Sequence, residues 1–160
     1  MVREIVDERQ LSGAMSRPSA KVYEDAHLQA VRNIAEQLFP FPTPDYPHFR
    51  TFVNEPETEQ KIYTNYGREL EPDIVVLQWP EKLPVMLAEV VTPDMLTDDN
   101  AENVWAIEAR LEGVQFFLYV PAGHAAQAKR LLKKAKIKDV AVRTWRNITG
   151  LKTIDINPLR

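Results

Sequence analysis

Two apolar runs constrain this chain more than any other feature: Pro72-Asp73-Ile74-Val75-Val76, and then Val85-Met86-Leu87-Ala88-Glu89-Val90-Val91. Both are rich in β-branched residues and read as strands covered on both faces, and Pro80-Glu81-Lys82-Leu83-Pro84 between them reads as a hairpin connection. Each run carries one carboxylate, and burying it costs several kcal/mol unless a partner compensates. A carboxylate at the start of one strand and another at the far end of its hairpin partner can be brought side by side. Their mutual repulsion then favours a bound divalent cation. Taken singly, Asp73 is also explained as a strand-entry residue after Pro72, whereas Glu89 inside its apolar run would need a salt-bridge partner. Neither run offers an imidazole or a thiol, and all-oxygen ligation suits Mg2+ or Mn2+ rather than Zn2+.

The elements around these strands follow from periodicity. Val22, Leu28, Val31, Ile34, Ala35 and Leu38 recur at three- and four-residue steps, so an amphipathic helix is expected to end before Pro40. Residues 39–49 interleave Pro40, Pro42, Pro44 and Pro47 with Phe39, Phe41, Tyr46 and Phe49, which reads as a stiff loop pinning aromatics onto the core. Residues 51–53 and 61–64 read as short or edge strands around an acidic turn holding Glu55, Glu57 and Glu59. After residue 91, Asp99 with Glu102 suggests a capping box for a helix reaching Gly113. Residues 114–120 form another buried-type strand, 125–135 a helix, 140–145 a strand and 148–156 a last edge strand.

This order predicts an α/β protein with one central mixed sheet flanked by helices. With 160 residues and 44% hydrophobic content, a single domain over 21–160 is expected, preceded by a loosely attached arm at 1–20. The chain has no Cys, which excludes disulfides, thiolate zinc sites and Cys nucleophiles. No run approaches the roughly 18 apolar residues of a membrane span, and the charged N-terminus is neither a signal peptide nor an anchor, so a cytoplasmic location is expected. His27, His48 and His124 make no i, i+4 pair and read as core or surface histidines. The five glycines form no phosphate loop or dinucleotide fingerprint, and no Gly-x-Ser-x-Gly elbow occurs, which argues against nucleotide hydrolases, dehydrogenases and serine hydrolases.

Charge is segregated. Residues 1–128 carry 10 Lys and Arg against 21 Asp and Glu, whereas residues 129–160 carry 10 against 2, within a net charge of −3. Lys129, Arg130, Lys133, Lys134, Lys136 and Lys138 cluster at the end of the second predicted helix. They complement its macrodipole, and they also make a face able to hold a phosphate backbone.

The Pro72-Asp73 pair opening one strand, Glu89 on the next, and the helix, strands, helix and strand around them resemble the PD-(D/E)xK superfamily of restriction-endonuclease-like nucleases over about residues 20–146. The resemblance implies a restriction-endonuclease-like three-layer core and metal-dependent phosphodiester hydrolysis on DNA or RNA. It implies Asp73 and Glu89 as catalytic and metal-binding carboxylates, Glu36 as a third catalytic residue with Glu24 behind it, and Mg2+ or Mn2+ as cofactor. A homodimer is also expected, because such folds often pair. The sequence departs from the pattern where a Lys is expected two residues after Glu89, for Val91 stands there. At strand period two, Val91 shares the face of Glu89, so an ammonium would have to come from Lys61, Lys82 or Arg110. A descendant of the same fold that has lost catalysis and serves nucleic-acid binding or oligomerisation is the alternative.

Overall fold

The computed structural model describes residues 20–147 and 154–158. The predicted arm at 1–20 falls almost wholly outside the described residues, as do positions 148–153 of the predicted last strand. Helix α1 (Ala20–Leu38) precedes strands β1 (Phe49–Val53), β2 (Ile62–Tyr63), β3 (Glu69–Leu70), β4 (Ile74–Gln78) and β5 (Leu83–Val90). A helical segment, α2, follows over residues 98–109, then β6 (Gln115–Pro121), α3 (Ala125–Lys134), β7 (Val140–Asn147) and β8 (Ile154–Pro158).

Six strands form one sheet in the order β1-β4-β5-β6-β7-β8. β1, β4 and β5 are mutually antiparallel, β5, β6 and β7 are parallel, and β8 returns antiparallel to β7. The sheet is therefore mixed, as the sequence predicts. The parallel steps are crossed by α2 and α3, which a parallel connection requires. β2 and β3 do not extend this sheet but pair with each other as a separate two-stranded ribbon.

Strand alternation divides the core into two layers. Ile74, Val76, Ala88, Val90, Tyr119 and Trp145 pack with Ala30, Val31, Ile34 and Ala35 of α1. Val75, Leu77, Leu87, Val91, Phe116, Leu118 and Val120 pack with Ala101, Trp105 and Ala106 of α2 and with Ala128 and Leu132 of α3. The Pro/aromatic segment behaves as predicted: Phe39 is buried, edge-on to Phe117 at 5.4 Å, and Phe41 and Phe49 pack against the α1 layer.

α2 departs from its predicted start and end. Its cap is Thr97, whose hydroxyl accepts from the Asn100 backbone at 3.1 Å, rather than an Asp99/Glu102 box. The segment opens as α-helix at Asp98–Asn100, widens to π-type bonding at Ala101–Trp105 and closes as α-helix at Ala106–Ala109, short of Gly113. The extra residue in the π turn changes the phase of the face turned to the sheet, which carries Ala101, Trp105, Ala106 and Glu108.

Asn54, directly after β1, fixes the loops that approach the start of β4. Its amide donates to the carbonyls of Gln60 at 2.9 Å and Pro72 at 2.6 Å, and its carbonyl accepts from the backbones of Glu59 and Gln60, each at 2.8 Å. The residue is buried, so Asn54→Ala would leave several backbone groups unpaired. We expect it to cost about 2–4 kcal/mol, read by urea denaturation.

Candidate metal centre

β4 and β5 meet in a register that pairs Ile74 with Ala88, so the residue before β4, Asp73, stands across from Glu89. Asp73 is buried, and its Oδ2 accepts from the Val90 backbone N–H at 2.8 Å. The same oxygen lies 3.2 Å from His27 Nε2, so α1 reaches over the sheet edge to the start of β4. On the other side of the imidazole, His27 Nδ1 is 3.8 Å from Glu55 Oε1, which comes from the turn after β1. Ligand atoms of His27, Glu55 and Asp73 all lie within 4.8 Å of one another, close enough for one cation to take all three.

Glu89 is partly buried and lies within hydrogen-bonding reach of both Asp73 and Glu108. Glu108 projects from α2, is 1% exposed, and its Oε1 has no hydrogen-bond partner. Three carboxylates thus converge from the entrance to β4, from β5 and from α2, joined by His27 from α1 and Glu55 from the turn after β1.

The electrostatics follow from burial without a cation. Burial, with the charges of Glu108 and Asp73 behind it, holds the Glu89 carboxyl well above the usual carboxylate range. Burial likewise pushes Glu108 up to about 8, opposed by its hydrogen bond to Glu89 and reinforced by Asp73. Glu55 is raised by burial and by Asp73, against the pull of His27. Burial alone would lower the His27 imidazole, but its hydrogen bond to Asp73 and the charges of Asp73 and Glu55 outweigh that and raise it. The group is an acid cluster with one shared imidazole, and its buried members favour the protonated form.

The sequence-predicted residues divide clearly. Asp73 and Glu89 are brought together. Glu36 is not: it is exposed on α1, in a shallow groove with Asp25, Leu28, Gln29, Arg32 and Asn33, and Glu24 is exposed as well. The first-helix member of the cluster is His27. Its spacing from Val31, Ile34 and Ala35 puts it on the buried stripe, whereas Glu36 falls just off it.

Val91 does share the face of Glu89, and it is 3% exposed in the α2–α3 core. The candidate replacements for its missing ammonium lie elsewhere. Lys61 pairs with Glu69 at 2.9 Å, Lys82 sits in the β4–β5 turn 5.1 Å from the Trp79 ring, and Arg110 Nη2 donates to the Ala135 carbonyl at 3.3 Å. That turn is at the opposite end of both strands from Asp73 and Glu89. Gln115 is exposed at the start of β6, paired with Met86, and is likewise remote.

The basic residues of α3 and the following turn make a second feature. Lys129, Lys133, Lys136 and Lys138 line an open groove floored by Leu132, Ile137 and Val140, while Lys134 pairs with Asp98 at 3.2 Å. Among the described residues no helix is long and apolar enough to cross a membrane.

No family model matches the chain, and neither the curated proteins nor the solved structures contain a significant match to it.

Proposed function

We propose that this protein is a restriction-endonuclease-like, metal-dependent phosphodiesterase acting on nucleic acid, with Asp73 and Glu89 as its central carboxylates. The observation that carries the reading is the meeting of these two side chains from adjacent strands, with His27, Glu55 and Glu108 turned toward the same place. The donor set fits a divalent cation: carboxylates without a neutralising Lys or Arg among the groups acting on Glu89, and a buried carboxylate oxygen left unpartnered.

When bound, such an ion supplies Lewis-acid activation of water and neutralises charge on the phosphate. The chain's own contribution is orientation. The Val90 N–H and His27 hold Asp73 in one setting at the strand entrance, and the hairpin register holds Glu89 beside it. His27 must give up its second proton to serve as a ligand, so cation affinity is expected to rise with pH through the raised imidazole pKa. The lysines of the α3 groove supply an electrostatic track for a phosphate backbone.

One observation favours the non-hydrolytic alternative. Val91 is packed in the core, and none of Lys61, Lys82 or Arg110 takes over at the cluster. Losing one charge-stabilising donor costs about 10²–10³-fold in rate, so the expected enzyme is slow rather than silent. Purified protein with Mn2+ or Mg2+ should nick single- or double-stranded DNA or RNA, and EDTA should stop it. No cleavage of any of these substrates would refute hydrolysis, and salt-sensitive nucleic-acid binding or self-association without cleavage would support the alternative.

A further inference from the structure

A cavity of about 630 Å3 opens between the β2–β3 ribbon, the β4–β5 turn and the end of α2. It is separate from the carboxylate cluster, for Gln78 on its wall stands at the far end of β4 from Asp73, about 17 Å away at the rise of a strand. Ile107, Leu111 and Val114 give it an apolar lining. Two tyrosines stand at it, Tyr63 from β2 and Tyr66 from the turn that follows, 61% and 70% exposed. Among the described residues neither ring meets another aromatic ring, whereas the exposed Tyr46 is stacked on Phe49 at 4.9 Å.

The backbone holds both rings in place. Ile62 and Leu70 fill the core side of the ribbon, so Tyr63 is turned outward by strand alternation. Tyr66 is held out by the turn itself. The Thr64 hydroxyl accepts from the Arg68 backbone at 2.9 Å, the Gly67 N–H donates to the Thr64 carbonyl at 3.0 Å, and Gly67 supplies a φ of 87°. Arg68 anchors this turn on α2 by donating to the Asn103 carbonyl at 2.7 Å.

The polar groups at the cavity suit an uncharged, planar ligand with donors and acceptors on its edge. The side-chain amides of Asn65 and Gln78 have no hydrogen-bond partner among the described residues, and each offers both a donor and an acceptor. Arg110 and Glu112, both exposed, oppose each other in charge, so the lining has no net charge with which to hold an anion. A nucleobase has the required properties. In a duplex its faces and pairing edge are occupied, and only an unstacked base presents them.

We propose that this cavity receives one unstacked nucleobase of a single-stranded nucleic acid, seated against Tyr63 and Tyr66 with its edge met by Asn65 and Gln78. The inference rests on the nucleic-acid reading above and narrows its substrate class to single-stranded segments.

The test measures binding of the full chain, in EDTA so that no cleavage intervenes, to a fluorescent oligothymidylate, an oligouridylate, an abasic strand of the same length and a duplex. The wild type is expected to prefer the two base-bearing single strands. Tyr66→Ala should weaken those two by about 5- to 150-fold, the loss of one base–aromatic stack, and leave duplex binding, abasic binding and the salt slope unchanged. Tyr66→Phe keeps the ring and should keep wild-type affinity. Because Tyr66 is exposed, both variants should match the wild type in urea denaturation. Equal wild-type affinity for abasic and base-bearing strands overturns the base site. So does Tyr66→Ala binding as tightly as the wild type, weakening duplex and single strand alike, or being matched in its loss by Tyr66→Phe. Cleavage with Mn2+ is scored separately. Cleavage beside any of these failures leaves the hydrolase reading standing, whereas a Tyr66-dependent preference without cleavage upholds the base site and refutes hydrolysis.

Discussion

Asp73→Asn is expected to abolish cation binding and to take nucleic-acid hydrolysis below detection without unfolding the protein. Asp73 is the side chain common to the whole cluster: it meets the Val90 N–H, His27 and Glu89, and its charge acts on Glu108. An amide keeps an oxygen for the Val90 N–H, so the strand entrance retains its main hydrogen bond. What the amide removes is the negative charge that a divalent ion needs. The same loss relieves repulsion on Glu89 and Glu108, so in EDTA the variant should equal or exceed the wild type in stability. Asp73→Ala makes the contrast. It leaves the Val90 N–H and His27 Nε2 without their acceptor and is expected to cost about 1–3 kcal/mol, the usual penalty for a buried polar group deprived of its partner. Parallel cleavage assays and urea denaturation of the two variants separate chemistry from folding. Equal activity in Asp73→Asn and the wild type would contradict the role given to this residue.

Metal-free protein is expected to lose stability as pH rises, opposite to the usual behaviour of carboxylates paired with a positive charge. Glu108 ionises near its ordinary value of 4.5 in the unfolded chain but only at about 8 in the fold, and Glu89 is displaced in the same direction. The folded state therefore holds more protons between those limits. Their contribution to stability is complete below about pH 4.5 and is lost as pH rises through the folded values. His27 adds to the trend, because its raised pKa contributes stability below 6.5 that disappears as the imidazole deprotonates. The summed effect between pH 5 and pH 8.5 is on the order of a few kcal/mol. A bound cation replaces those protons and reverses the slope. At a concentration 100 times its dissociation constant it contributes about 2.7 kcal/mol at one site. Urea denaturation at pH 5, 6.5 and 8, in EDTA and in Mn2+, reads both effects. Stability that climbs with pH in EDTA would mean that the acids are neutralised by protein charges instead.

The legible and illegible parts of this centre differ for physical reasons. Asp73 and Glu89 stand out because a carboxylate in a β-branched run is an energetic anomaly in the sequence itself, and the hairpin between them implies adjacency. The same alternation correctly puts Val91 on the face of Glu89. Glu108 is hidden because α2 does not keep one period. The pattern Val104, Trp105, Ile107, Ala109, Leu111 assumes a regular helix, whereas the π turn at Ala101–Trp105 brings Trp105, Ala106 and Glu108 to the sheet. Glu55 reads as one of three acids in an exposed turn, and what ties that turn to the start of β4 is a set of bonds invisible in the sequence, among them those from Asn54 to Pro72 and Asp73. His27 carries a usable signal, since it precedes Val31 by four residues on the buried stripe of α1. It has no second histidine at i, i+4, so no zinc-motif spacing marks it. The mixed sheet and its order of elements were readable from run lengths and breakers. The β2–β3 ribbon was not, because two-residue strands carry no period.

The account depends on one physical proposition: acids from adjacent strands, together with those from the helices and loops around them, are assembled to hold a divalent ion. Isothermal titration calorimetry of the wild type and Asp73→Asn with MnCl2 at pH 8 tests it most directly. Saturable binding with proton release in the wild type, absent in Asp73→Asn, is the predicted result. No saturable binding to the folded wild type, or equal binding by both proteins, would contradict it.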